Sequence, residues 1–165
     1  MAQYPAIPHG GSKMANYWLM KSEPDAYSID QLKSDKTTLW DGIRNYQARN
    51  FMMNDMKVGD KVLFYHSNAK PPGVVGLATV SKPAQPDPTQ FDKNSKYYDP
   101  KSKKEDPRWH CVEVKFSKKF KQMLSLYWLK EEKKLQEMMV IKRGQRLSIQ
   151  PVEKAHYDYI VKKGQ

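Results

Sequence analysis

Three short stretches of the 165-residue chain set aromatic rings beside amide, hydroxyl and cationic groups. The first is Trp18-Leu19-Met20-Lys21-Ser22-Glu23-Pro24. The second is Trp40-Asp41-Gly42-Ile43-Arg44-Asn45-Tyr46-Gln47-Ala48-Arg49-Asn50, and the third is Phe64-Tyr65-His66-Ser67-Asn68. Each stands where a regular element gives way to a turn, the usual place for binding groups. Such residues suit a flat ligand with a polar edge. A ring stacks on a nucleobase face for roughly 1–3 kcal/mol per base, while Ser, Asn and His meet the base edge and Arg and Lys take phosphate. Trp40, Asn45 and Ser67 read as functional on these grounds. Trp18 and Phe64 read as core, Asp41 and Gly42 as turn formers, and Lys21 with Glu23 equally well as a surface ion pair.

Other chemistries find no footing in the residue pattern. His9, His66, His110 and His156 are scattered without ligand spacing, and no Gly-rich phosphate loop or G-x-S-x-G elbow occurs. Cys111 is the sole cysteine. It excludes an internal disulfide and a multi-cysteine zinc site, and it fits a reducing, intracellular setting, cytoplasmic in a bacterium or nuclear in a eukaryote. On an alternating strand opposite His110 it reads as a buried, inert thiol. No catalytic residue, metal or cofactor is expected.

Charge narrows the choice of partner. The chain carries a formal net +11 with a mean hydropathy of -0.85, and no apolar run approaches the ~20 residues that span a bilayer. Residues 1–100 hold 12 Lys/Arg against 10 Asp/Glu, whereas residues 101–165 hold 17 against 8. The excess therefore lies in the C-terminal two-fifths, as expected of one basic face that attracts a polyanion. Nucleic acid is the expected partner, bound by a monomer, and no membrane is expected.

The elements that must position these groups follow from periodicity and turn signals. Residues 1–14, with Pro5, Pro8, Gly10 and Gly11, predict a flexible leader, followed by one domain over 15–165. Tyr17 to Met20 predicts a strand, Ser28 the cap of a short helix, and Asn45 to Met56 a second helix ended by Val58-Gly59-Asp60. Lys61–His66 and Val74–Val80 predict a hairpin across Asn68–Gly73. Ser81–Pro107 predicts a long loop, and Trp109–Phe116 an alternating strand. Leu124–Met139 has helical spacing, Arg146–Gln150 predicts a last strand, and Pro151 introduces a terminal helix through Ile160. The sum is an α+β fold whose short strands close into a small β-barrel with peripheral helices.

Taken together, Tyr17–Pro24, Trp40–Asn50, Gly59–Ser67 and Arg146–Val152 resemble the successive motifs of the EVE domain family. Val74-Val75-Gly76, Tyr98-Asp99-Pro100-Lys101-Ser102 and Pro107-Arg108-Trp109 fall in the same order. The resemblance covers roughly residues 15–160. It implies a PUA-like fold related to the PUA, ASCH and YTH domains, and a non-catalytic reader of a modified base in DNA or RNA. It also implies a base pocket lined by Lys21, Ser22, Trp40, Asn45, Tyr65, His66 and Ser67, with Tyr98 and Asp99 closing one side. Arg44, Arg49, Lys115, Lys118, Lys119, Lys121, Arg143 and Arg146 are the cations expected on the nucleic-acid backbone. Two rivals stay open on the residues themselves: a small-molecule or protein-interaction domain with such a pocket, and an enzyme acting on modified nucleotides.

Overall fold

The computed structural model describes residues 16–165, so the leader expected over residues 1–14 lies outside them. Strand β1 (Tyr17–Ser22) leads to helix α1 (Ile29–Asp35), strand β2 (Thr37–Leu39) and helix α2 (Tyr46–Asn50), which continues as a π-helical turn over Phe51–Asp55. Then come β3 (Lys61–His66), the long β4 (Gly73–Pro86) and β5 (His110–Ser125), α3 (Leu126–Glu131), β6 (Ile149–Val152) and α4 (Lys154–Gly164). The strands form one six-stranded sheet in the order β2-β5-β4-β3-β1-β6. Only β1 and β3 pair in parallel; the other neighbours are antiparallel. The α+β class thus holds, but β2 and β6 stand at opposite ends of the order, and the ladder does not close into the expected barrel.

The apolar pattern explains the sheet's place in the fold. Alternate residues of a strand face opposite sides, and here both sides are covered. Trp18, Met20, Val62 and Phe64 belong to one core with α1, α2 and Trp40. Leu19, Leu63 and Tyr65 belong to the other, with Leu129, Leu135 and Ile160 from the C-terminal region. Doubly covered central strands read as continuous apolar runs, which is why Trp18-Leu19-Met20 and Val62-Leu63-Phe64-Tyr65 show little alternation.

Several boundaries moved relative to the sequence reading. Helix α1 has the expected Ser28 cap, as a full capping box with Gln31. The β3–β4 hairpin is also present. The long loop, however, begins later: β4 runs on to Pro86 and pairs with β5 as far as His110. Its prolines and polar residues hide the strand because register shifts repeatedly interrupt that pairing, and bulged edges tolerate residues that a regular ladder rejects. Leu124–Met139 is not one helix. Strand β5 extends to Ser125, α3 spans six residues, and two single 3₁₀ turns follow at Lys133–Leu135 and Met139–Ile141. Its apolar residues face a core at helical spacing without continuous helix. Pro151 lies within β6, and α4 starts at Lys154.

The parallel β1–β3 register is pinned by Asp60, which is 2% exposed. Its carboxylate accepts the Trp18 indole N–H at 2.9 Å and the backbone N–H groups of Asn16 (3.0 Å) and Lys57 (2.9 Å). A buried donor left without its acceptor costs about 1–3 kcal/mol. Asp60→Ala is therefore expected to lower unfolding free energy by about 2–3 kcal/mol in urea titrations. A loss below ~0.5 kcal/mol, the scale of ordinary surface substitutions, would count against this role.

Candidate functional site

At the end of the sheet where β1 and β3 finish, the chain forms an open cavity of about 1030 Å³. One wall is the C-terminal end of β1 with Lys21, Ser22 and Glu23. A second runs from β2 through Trp40, Asp41 and Gly42. Ser67 and Asn68 follow β3, Lys96 and Tyr97 come from the 92–109 loop, and Gln145, Arg146 and Ser148 precede β6. Strand ends supply backbone groups released from the ladder, and the flanking turns supply side chains, so five separate segments converge on one space.

The Trp40–Gly42 wall is set by a buried carboxylate. Asp87, whose side chain is 0% exposed, accepts the Gly42 N–H at 2.8 Å and an Arg44 N–H at 3.1 Å on one oxygen. Its other oxygen accepts the Thr89 N–H (2.8 Å) and hydroxyl (2.6 Å). Burial pushes the Asp87 carboxyl up, but the hydrogen bonds from Thr89, Gly42 and Arg44 outweigh it and hold the pKa below the ordinary carboxylate range. Arg44 also donates to the Tyr97 carbonyl at 2.8 and 3.2 Å, which fixes the 92–109 loop. The Tyr97 ring then lies directly over Gly42. With φ +80° and a built Cβ only 2.7 Å from that ring, position 42 admits glycine alone without strain.

Trp40 is both core and wall. It is 6% exposed and meets Phe64 edge-on at 5.4 Å, and its backbone N–H donates to the Val112 carbonyl. Asp41 on the same wall has its pKa raised, first by burial and then by Asp87 nearby, with Arg44 pulling the other way. Lys21, at the end of β1, has its pKa lowered by burial and donates to the Gln145 carbonyl at 3.4 Å. Burial, with Asp87 and Asp41 adding to it, pushes the Cys111 thiol up to about 12. The thiol is fully buried in the core and is not poised as a nucleophile.

The structure brings together Lys21, Ser22, Trp40 and Ser67 from the pocket set, and Arg146 from the set assigned to the backbone. The rest of the pocket set lies elsewhere. Asn45 caps α2 by accepting the Ala48 N–H and lines a smaller neighbouring cavity. Tyr65 points into the second core, 3% exposed. His66 Nε2 accepts the Ile29 N–H at 3.1 Å and so holds the start of α1. Tyr98 is 36% exposed and outside the cavity, while Asp99 accepts the Trp109 indole N–H and pairs with Arg108. Arg44 is committed to Asp87, Thr89 and Tyr97, and Arg49 to Asn50 and the Arg108 carbonyl. Lys115, Lys118, Lys119, Lys121 and Arg143 are exposed, with Lys119 paired to Asp30. Sequence reasoning missed Tyr27, Tyr97, Gln145 and Ser148 as cavity residues. Tyr97 adjoins a quoted motif, and Ser148 lies inside one, but nothing local marks which way either side chain points.

An α+β domain with an open mixed sheet and a ligand-sized cavity at its end is the class that these features define. A sequence model of the EVE domain matches residues 16–163, and the chain belongs to the EVE domain family. Thymocyte nuclear protein 1 of Mus musculus is 44% identical over 172 aligned positions, covering 93% of this chain and 75% of that protein. A hypothetical protein from Leishmania major superposes with a TM-score of 0.88 at 50% identity, covering 92% of this chain and 96% of the other. The human THYN1 protein in complex with 5-methylcytosine containing DNA gives 0.84 at 42% identity, covering 92% and 98%. A mutant ASCH protein from Zymomonas mobilis gives 0.53 at 9% identity, a likeness of fold alone.

Two measurements check the scaffold of the site. Asp87→Ala leaves Arg44 without its buried partner and is expected to cost about 3–5 kcal/mol in urea unfolding. Little change would remove Asp87 from its central role. His66 has its pKa lowered, chiefly by burial, with Lys119 adding to the effect and Asp30 opposing it. A depressed histidine contributes stability that is present above its unfolded value near 6.5 and is lost as pH falls through the folded value. His66→Gln keeps an acceptor but cannot titrate, so stability of the variant is expected to fall less between pH 7 and pH 5 than that of the wild type. Parallel pH profiles would exclude this assignment.

Proposed function

We propose that the chain is a non-catalytic reader of a modified nucleobase, held in the main cavity while cationic side chains outside it hold the backbone. The observation that carries this reading is the human relative, 42% identical with 98% of its crystallised chain covered, whose crystal structure is a complex with 5-methylcytosine containing DNA. The cavity supports it chemically. Trp40, Leu39 and Ile43 offer apolar surface for a ring and a methyl group, the contact that suits a pyrimidine C5 substituent. Asp41 can accept from an exocyclic amino group, and Lys21 can donate to a ring carbonyl. Ser67 and Ser148 add hydroxyls that can donate or accept.

Entry of a base requires extrusion from its stack. That costs a few kcal/mol, least where the base is mismatched, damaged or single-stranded, so selection acts through extrusion as well as fit. Backbone affinity falls to the exposed cations. Lys115 lies opposite Thr37 in the ladder, next to the β2 residues that line the cavity, and Lys118 and Lys121 continue along β5.

Fluorescence anisotropy with matched DNA and RNA oligonucleotides, with and without 5-methylcytosine, tests the proposal. Wild type is expected to prefer a modified strand, and Asp41→Ala to lose about 1–3 kcal/mol of that binding while its thermal stability holds. Equal affinity for modified and unmodified strands, or a preference untouched by Asp41→Ala and Ser67→Ala together, would overturn the pocket assignment. Lys→Glu changes at 115, 118 and 121 are expected to weaken all strands alike and to flatten the salt dependence by about 0.7–0.9 log units per lost phosphate contact. An unchanged slope would place the backbone contacts elsewhere.

A further inference from the structure

A second cavity, of about 320 Å³, opens beside the first. Asn45 and Gln47, at the start of α2, form one side, and the segment from Gly144 to Ser148 forms the other. Gln145, Arg146 and Ser148 line both cavities, so a single stretch of chain is the partition between them. The partition is anchored. The Lys21 backbone N–H donates to the Ser148 carbonyl at 2.8 Å, and the Lys21 ammonium donates to the Gln145 carbonyl. The Gln150 amide donates to the Leu147 carbonyl at 2.9 Å, and the Leu147 side chain is buried in the core.

Two side chains at this place are uncommitted. Arg44 and Arg49 spend their guanidinium donors within the protein. Arg146, exposed on the partition, makes no hydrogen bond or ion pair among the described residues. The same holds for the Gln47 amide, whereas Asn45 has its oxygen engaged by the Ala48 N–H. A free guanidinium thus stands between two polar hollows, the smaller of which carries a free carboxamide. A carboxamide presents a donor and an acceptor side by side, the pattern that pairs with a base edge, and a guanidinium forks onto phosphate oxygens.

We propose that the second cavity seats the base of the nucleotide adjoining the one in the main cavity, read by Gln47, with Arg146 on the phosphate that links the two. This rests on the reading of the main cavity as a base site. Its consequence is that the protein recognises a step of two nucleotides, so that the neighbour's identity contributes to affinity. The partition lets the two contributions be altered separately.

The test uses the full chain and short single-stranded DNA with a central cytosine or 5-methylcytosine, each of the four bases being placed in turn on either side of it. Wild type is expected to discriminate among neighbours on one side by at least about fivefold. Gln47→Ala, a change at a half-buried position of α2, should abolish that discrimination and keep the preference for the modified centre. Arg146→Glu should weaken every strand and reduce the salt slope, leaving the ranking of neighbours intact. Indifference of the wild type to both neighbours, or a discrimination that survives Gln47→Ala, overturns the inference, whether or not the modified centre is preferred. Failure of the main-cavity reading shows differently, as equal affinity for the two central bases.

Discussion

The carboxylate of Asp87 is enclosed by protein, and an unpaired charge there would cost several kcal/mol. Four donors from three residues remove that cost, and each belongs to a different part of the cavity's frame. Gly42 gives the turn that ends the β2 wall, Thr89 opens the excursion towards β5, and Arg44 carries the constraint onward to the Tyr97 carbonyl. The turn and the loop are thereby fixed to each other although neither contributes much apolar surface. Geometry at the cavity therefore depends on satisfying one buried ion, and less on the packing beneath it.

The packing has another part. Two cores on opposite faces of the sheet hold β1 and β3 rigidly, and Asp60 ties their starts together, so their C-terminal ends open at the same level. His66 at the end of β3 then sets α1 through the Ile29 N–H. A residue whose chemistry invites a ligand role here spends its Nε2 on the start of a helix, and the serine next to it lines the cavity. Cys111 shows the same division. Its neighbours Asp41 and Asp87 reinforce the effect of burial on the thiol, which keeps a potentially reactive group silent beneath the site.

Much of this was legible in the residues. Ser28 announces a capped helix, the run Lys61–His66 announces a strand, and the aromatic–polar clusters led to Lys21, Ser22, Trp40 and Ser67 at the cavity. The failures have physical causes. Alternation predicts which way a side chain points only within one strand, so it gave no means of seeing that Tyr65 and Ser67 part company at a strand end. Arg44 and Arg49 carry the chemistry of phosphate ligands, and only the fold reveals that Asp87, Asn50 and the Arg108 carbonyl occupy their donors. Helical spacing over Leu124–Met139 reported burial correctly but was produced by a strand end, a short helix and two tight turns in succession. Tyr97 and Gln145 reach the cavity from loops whose course depends on contacts remote in sequence.

The partition between the two cavities also bears on the order in which the protein is made. Lys21 and Ser148 are joined through the backbone, and β6 lies against β1, the first strand of the sheet. During synthesis β1 must therefore wait with one edge uncovered until residues 145–152 have left the ribosome. Exposed edges are where chains pair wrongly. Completion of the cavity wall and the covering of that edge arrive in the same event, so a nascent or prematurely terminated chain lacks both together.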